Sequence, residues 1–113
     1  MIQEGQVVLF RFPQTDQTSG NLRPALVLRK LPGVYNDWLI CMISTQLSQI
    51  IPQFDEMLTD KDADFQDSGL KQPSLIRICR LAVVNQSVLM GTIGRIDPQR
   101  LISIRNKLSN WIK

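Results

Sequence analysis

The sequence predicts a small, mainly β domain: a closed barrel of short strands with one α-helix packed against it. Short apolar segments separated by turn residues occupy the chain as far as Ile96, and one amphipathic helical segment follows. This order is typical of a small closed barrel with a docked helix. At 113 residues the chain is predicted to form a single domain spanning residues 1–113.

The strands are predicted where apolar residues alternate or run together between turn residues. The run WLICMI is continuous, so this strand is expected to be buried on both faces. A polar Gly/Ser/Thr loop over residues 13–22 separates the first two strands, and a single helical turn is predicted over residues 46–51. The predicted strands are 6–12, 25–30, 38–43, a short one near 54–58, 74–84 and 88–96.

The helix is predicted to begin after Asp97, because Asp97 is a good N-cap and Pro98 suits the first helical position. Apolar residues then recur at spacings of three and four, which places them on one stripe that can face a core. The residues of this stripe are Leu101, Ile104, Leu108 and Trp111.

The composition is that of an ordinary globular protein, with 43% hydrophobic and 20% charged residues. No run of about 18 apolar residues is present, so no transmembrane helix is predicted. The N-terminus MIQEGQ lacks the basic and apolar regions of a secretory signal, so the expected location is the cytoplasm, without membrane contact.

Cys41 and Cys79 lie in apolar strand-like segments and are expected to be reduced, buried thiols.

The residue types also limit the possible metal chemistry. Histidine is absent and the two cysteines lie far apart, so no zinc motif is available. Composition leaves open a magnesium site made of carboxylates, although no carboxylate cluster falls on a predicted scaffold. Hydrolytic chemistry is therefore expected to run without imidazole, without metal and without a cofactor.

Charge is distributed unevenly along the chain, whose net charge is +3. Residues 55–67 hold six acids and one base, a net charge of −5, whereas the other residues hold twelve bases and four acids, a net charge of +8. The basic remainder is compatible with a polyanionic ligand. The alternative is a solvated acidic loop beside an ordinary surface.

Three stretches resemble a known family: FPQTDQTSGNLRPALVLRK at residues 12–30, ISTQ at 43–46 and SGLKQPSLIRI at 68–78. Together they resemble the MazF/PemK family, the toxin halves of bacterial toxin–antitoxin pairs. The resemblance implies an SH3-like barrel that forms a homodimer. It also implies a metal-independent endoribonuclease that cleaves single-stranded mRNA through attack of the ribose 2′-hydroxyl, and a cognate antitoxin that holds it inactive.

The resemblance gives Arg23 a catalytic role at the Arg–Pro step, where the loop meets the second strand. Arginine suits this role, since its planar fork stays charged and binds two phosphate oxygens at once. In the family, the corner after the third strand offers a hydroxyl and then a glutamine beside the scissile phosphate. Ser44, two residues before Gln46, matches the family spacing, and Thr45 is an equal donor by chemistry. Both hydroxyls have the alternative role of capping the helical turn.

The resemblance offers several candidates for the acid and the base. Many relatives carry an arginine and an aspartate two apart in a later strand, here Arg77 and Cys79, which are expected to face the same side. A thiol in an apolar strand is a poor base near neutral pH. Other relatives carry a glutamate five residues before the Arg–Pro arginine, where this chain has Thr18. Asp16, another loop carboxylate, either takes the base role or holds a turn. The candidate RNA contacts are Gln46, Thr18, Asn21 and Arg80.

These departures from the family pattern leave two other functions open. One is a catalytically weakened barrel that serves as a binding module for its antitoxin or for nucleic acid. The other is a toxin of the same fold that acts on gyrase, as some barrel relatives do. Cleavage of RNA by the purified protein, with an Arg23→Ala control, separates the endoribonuclease from both.

Overall fold

Six strands form one antiparallel sheet in the computed structural model, which describes residues 2–11 and 22–113. The strand order is β4-β5-β3-β2-β1-β6. The strands are β1 (Gln6–Arg11), β2 (Leu22–Lys30), β3 (Asp37–Ser44), β4 (Glu56–Leu58), β5 (Ser74–Asn85) and β6 (Leu89–Arg95). The helices are α1 (Phe65–Ser68) and α2 (Pro98–Ile112), with 3-10 turns at Leu47–Gln49 and Gln86–Val88. The predicted mainly β fold with a C-terminal helix is confirmed.

The start of β2 differs from the prediction. The strand begins at Leu22, so Arg23 and Pro24 lie inside it and Arg23 is paired with Phe10 of β1. The Arg–Pro step is therefore part of the sheet, with Arg23 and Pro24 opposite Phe10 and Leu9 of β1. Phe12 and the predicted loop up to residue 21 lie outside the described residues.

The sheet must curl strongly to satisfy the connection between its last two strands. Three strands separate β5 from β6 in the sheet, yet only Gln86–Val88 separates them in sequence. The end of β5 is thereby brought to the start of β6, as a barrel requires. A buried cluster on one face of the curled sheet draws on β1, β2 and β3, and Val84 of β5 and Leu89 of β6 pack against it. Its members are Val8, Phe10, Ala25, Val27, Trp38 and Ile40.

A second buried cluster lies on the other face, beneath α2. The helix begins as predicted, because the Asp97 carboxylate accepts a hydrogen bond from the Gln99 amide (2.9 Å). Leu101, Ile104 and Leu108 of the stripe are buried against β1, β2, β3 and β5. Trp111, expected on this stripe, is 61% exposed and makes an edge contact with Phe54 (ring centroids 6.1 Å apart). The buried part of the stripe therefore ends at Leu108, one turn before the end of the helix.

The two cysteines have different environments. Cys41 is buried, as expected for a strand covered on both faces, whereas Cys79 is exposed, so the prediction for Cys79 was wrong. The reason is a bulge in β5. Met42 of β3 is opposite Arg77, but its neighbour Cys41 is opposite Leu81, four residues further along β5. Residues 78–80 have no partner in this register, so the two-residue alternation used to place Cys79 does not hold there.

The acidic segment is not a solvated loop. Arg100 of α2 pairs with Glu56 (3.0 Å), Asp62 (3.3 Å) and Asp64 (2.8 Å). Lys107 adds a contact to Glu56 (3.2 Å). Burial alone would raise the pKa of Asp64, but hydrogen bonds from Arg100 and the Asp97 amide outweigh it, so this pKa lies below its ordinary value. Three of the six acids, Glu56, Asp62 and Asp64, thus fasten the segment to α2.

Strand β6 forms one edge of the sheet, and its pairing is irregular. Its pairing with β1 shifts register twice, between Val7 and Val8 and between Leu9 and Phe10. Gly91, near its start, has φ +137, a conformation that side chains rarely adopt. Within residues 2–11 and 22–113, no helix has the length and apolar character that a membrane span needs.

Candidate active site

The register of three strands gathers the candidate residues at one end of the sheet. Ala25, Met42 and Arg77 form a row across β2, β3 and β5. Arg23 and Ser44 lie two residues beyond Ala25 and Met42, toward the start of β2 and the end of β3. Residues directly opposite, or two apart in a strand, share a face. Arg23, Ser44 and Arg77 therefore lie on one face of one corner, hereafter the strand-end corner.

Ser44 shapes the turn that leaves this corner. Its Oγ accepts a hydrogen bond from the Gln46 amide (3.0 Å), and the Gln46 carbonyl then accepts one from the Gln49 amide (3.0 Å). The following 3-10 turn, Leu47–Gln49, has no side-chain cap, so the predicted capping alternative is replaced by a tighter turn around Gln46. Thr45 and Gln46 are exposed beside it.

Arg77 is held by two side chains that leave most of its hydrogen-bonding capacity unused. Its Nη1 donates to Gln49 Oε1 (2.9 Å), and its Nε lies 3.9 Å from Asp55 Oδ2. The side chain is only 14% exposed, and the buried Nε has no hydrogen-bond partner among the described residues. A largely buried guanidinium with an unpartnered N–H is costly, and the nearby carboxylate of Asp55 offsets part of this cost.

Asp55 occupies the gap that the β5 bulge opens. Its Oδ1 accepts a hydrogen bond from the Ile78 amide (3.3 Å), which has no partner in the β3–β5 register. Its Oδ2 accepts one from the Ile51 amide (3.0 Å), and the Asp55 amide returns a bond to the Ile51 carbonyl (2.9 Å). The side chain of Asp55 is 1% exposed. Burial, and then the charge of Asp55, raise the pKa of the Cys41 thiol, so Cys41 remains protonated.

The remaining candidates are placed less closely or not at all. Cys79 and Arg80 lie in the bulge and are exposed, within three residues of Arg77. Asp16, Thr18 and Asn21 lie outside the described residues. Arg23 is exposed at the edge of the corner.

A second concave region lies away from the corner, at the start of α2. This cleft has a volume of about 610 Å³, and its polar lining includes four acids together with Arg95 and Arg100. None of the site residues proposed above lines it, and Arg100, one of its two arginines, is already paired with three carboxylates. We therefore regard the strand-end corner as the candidate site. Among residues 2–11 and 22–113, no group of three metal-ligating side chains is close enough to hold an ion.

Nearly the whole chain matches a known protein family. The model of the PemK-like, MazF-like toxins of type II toxin–antitoxin systems matches residues 3–112. The chain belongs to this family. It is thus the toxin of a type II toxin–antitoxin pair, and the family implies an antitoxin partner.

A solved structure supports the fold of this PemK/MazF-like toxin. The Mycobacterium tuberculosis toxin MazF-mt6 superposes with a TM-score of 0.65 over 93% of each chain, at 16% sequence identity. At this identity the likeness concerns the fold alone. A search of curated protein sequences finds no match.

In this PemK/MazF-like toxin, the structure adds two residues that the sequence did not indicate. Gln49 and Asp55 both contact Arg77, yet they lie 28 and 22 positions before it in the chain. Gln49 is one of several polar residues in a short turn, and Asp55 is one of six acids in a dense run. No spacing rule distinguishes them, because a bulge that accepts a carboxylate cannot be recognised from strand periodicity.

Proposed function

We propose that this toxin is a metal-independent endoribonuclease that cleaves single-stranded mRNA in the cytoplasm. The observation that carries the proposal is the placement of Arg23, Ser44 and Arg77 on one face of the strand-end corner. Membership of the PemK/MazF-like family supports the same reading. Two guanidinium groups beside a hydroxyl provide charge and hydrogen bonds suited to a phosphodiester.

The proposed reaction uses the RNA as its own nucleophile. The ribose 2′-oxygen attacks the adjacent phosphorus and loses its proton to a base, while the bond from phosphorus to the 5′-oxygen breaks and that oxygen takes up a proton. The products are a 2′,3′-cyclic phosphate and a 5′-hydroxyl. Arg23 and Arg77 stabilise the charge that develops on the phosphoryl oxygens, and Ser44 and Thr45 donate hydrogen bonds at the strand end. Asp16 is the proposed base, and Gln46, Thr18, Asn21 and Arg80 contact the RNA.

Cleavage of a labelled single-stranded RNA by the purified protein tests this function. We expect cleavage that persists in EDTA and yields 2′,3′-cyclic or 3′-phosphate ends. Activity that disappears with EDTA and returns with magnesium would contradict the mechanism.

A second candidate is a binding module that keeps the fold without cleavage. Cys79 favours it, because it stands where many relatives have the aspartate of an acid–base pair. Saturable binding of RNA or of the antitoxin by wild-type protein, with no product after long incubation, would favour this candidate.

The proposed active form is a homodimer. The outer face near the β5–β6 connection carries an apolar patch, a feature that often marks an interface. Its members are Leu81 (38% exposed), Val83 (55%), Val88 (45%) and Met90 (56%). We expect light scattering to show a dimer for the wild type and a monomer for Val83→Asp, while Val34→Asp, a control at a 93% exposed valine elsewhere, stays dimeric. A wild-type monomer at micromolar concentration would exclude the dimer.

The antitoxin is proposed to inhibit by competing with RNA. An acidic segment that covers Arg23 and residues 13–22 would occupy the same basic surface, since the chain outside residues 55–67 has a net charge of +8. RNA binding should weaken steeply as salt rises. A hydrogen-exchange footprint of the complex confined to residues 55–67 would show that the antitoxin binds elsewhere.

A further inference from the structure

Asp55 joins the two parts of the chain that build the strand-end corner. One part is the segment after β3, which carries Gln49 and is held through the Ile51 amide on Asp55 Oδ2 (3.0 Å). The other is β5, held through the Ile78 amide on Asp55 Oδ1 (3.3 Å), next to Arg77. A single carboxylate therefore fixes the segment that carries Gln49 relative to the strand that carries Arg77.

The charge of Asp55 acts on Arg77 without using its donors. The Nε–Oδ2 distance of 3.9 Å is an ion-pair contact and is too long for a hydrogen bond. Within the described residues, Nη1 is the only atom of this guanidinium that donates a hydrogen bond, to Gln49. Asp55 thus offsets the cost of keeping a cation largely out of water, while the fork remains able to bind an anion.

We propose that Asp55 is a positioning residue for Arg77: it holds the guanidinium at the strand-end corner, with the donors other than the one bonded to Gln49 left unspent, for a phosphate oxygen of the substrate. This inference rests on the proposed function, since it assigns to Arg77 the task of binding the reacting phosphate. It concerns a residue that acts through Arg77 and has no contact of its own with the RNA.

The first test is a double-mutant cycle in the cleavage assay. Asp55→Asn keeps the size of the side chain and removes its charge, and we expect kcat to fall about 10- to 100-fold with little change in KM, as for other residues that orient a reacting group. Arg77→Ala should also lower kcat. The double variant should be no worse than Arg77→Ala alone, because both changes remove the same function.

Asp64→Asn provides a matched control. Asp64 is also a buried carboxylate that accepts a backbone N–H, from Asp97 (2.9 Å), and pairs with an arginine, Arg100. It lies at the α2 cleft, away from the corner. Asp64→Asn should lower stability and leave kcat of the folded protein unchanged, whereas a loss of kcat equal to that of Asp55→Asn would reduce Asp55 to a structural role.

Chemical rescue sharpens the assignment. Added guanidinium ion should restore part of the cleavage by Arg77→Ala, because the Asp55 carboxylate and Gln49 amide remain to orient the ion. It should not rescue the Asp55→Asn/Arg77→Ala protein. Equal rescue of both proteins would contradict the proposal.

A readout independent of activity separates this inference from the proposed function. In ¹⁵N-labelled protein, the Nε–H signal of Arg77 should be distinct and slow to exchange in the wild type. It should move toward the free-arginine position in Asp55→Asn, and in Gln49→Ala if the aspartate variant fails to fold. A signal that these changes leave in place overturns the positioning role. A signal that responds, in a wild-type protein that cuts no RNA, upholds the positioning role and rejects the endoribonuclease.

Discussion

Arg77 and Arg100 are almost equally buried, with 14% and 17% of the side chain exposed, but their hydrogen bonds differ sharply. Arg100 pairs with three carboxylates at 2.8–3.3 Å. Arg77 has one hydrogen bond, to a neutral amide, and one carboxylate at 3.9 Å. Burial alone therefore does not distinguish an arginine that stabilises the fold from one that is available to a ligand. The number of donors already used does.

The pKa of Arg100 agrees with its saturation. Burial by itself would lower this pKa, but the hydrogen bond and charge of Asp64, followed by the charges of Glu56 and Asp62, raise it. The guanidinium of Arg100 is thus fully committed to joining the acidic segment to α2. The comparison predicts that changes at the corner reduce cleavage, while changes at Arg100 reduce stability.

The largest expected effect is on cleavage, at Arg23 of the corner. Arg23→Ala should lower the cleavage rate by about two to four orders of magnitude, by analogy with the loss of one oxyanion donor. Arg23→Lys should recover little, because the bidentate fork is lost. The fold should survive the change, because Arg23 is exposed at the edge of the corner. Near wild-type cleavage by the alanine protein would place the site elsewhere.

Arg100→Ala should have the opposite effect: a loss of stability without a loss of cleavage. It leaves three carboxylates without their common partner, and we expect the free energy of unfolding to fall by about 3 kcal/mol, the low end for a broken buried ion pair because the side chain is partly exposed. Urea denaturation measures this loss. At a temperature where the variant is folded, its cleavage rate should equal that of the wild type, and a selective loss of kcat would refute the comparison.

Cys79→Asp sharpens the comparison on the corner side. Because Cys79 is exposed, the carboxylate should be accepted with a change of less than about 0.5 kcal/mol in stability. It places an acid–base group near Arg77, and we expect cleavage to rise about tenfold, well below the contribution of a fully positioned base. Cys79→Ser is the control of similar size. An equal rate for both variants would show that the position takes no part in proton transfer.

The smallest effect concerns acid stability at the Arg100 cluster. The pKa of Asp64 is below its ordinary value of 3.8 in the folded protein, so the stability from this group is present above that value and is lost as pH falls through the folded pKa. The difference in unfolding free energy between wild type and Asp64→Asn should therefore shrink below about pH 4. A difference that is constant from neutral pH to pH 3 would exclude this linkage.

The sequence predicted the elements whose signals are local. Apolar runs located β1 and β3, and the Asp97–Pro98 cap located the start of α2. The resemblance named Arg23, Ser44 and Arg77 as site residues. The strand register places them on one face, and their catalytic roles stay predictions. The exposure of Cys79 and the contacts of Asp55 were missed, because both depend on one bulge that interrupts an otherwise regular apolar strand.

The acidic segment was missed for a different reason. Its partner, Arg100, lies 44 residues beyond Glu56, so the charge run read alone resembles a solvated loop. The composition of a segment does not reveal the charge of the element that packs against it. Ion pairs between distant segments therefore require the fold before they can be predicted.

The irregularity of β6 limits what the protein's apolar patch can cause. An edge strand with exposed side chains such as Met90 would normally favour the addition of strands from other chains, and so aggregation. The two register shifts and the conformation of Gly91 make this strand irregular. The chain around Gly69 also packs against Ile93 and Gly94, so another strand cannot pair along the whole of β6. The exposed apolar side chains can therefore bind a partner surface, while the irregular backbone of β6 disfavours fibril-like addition of strands.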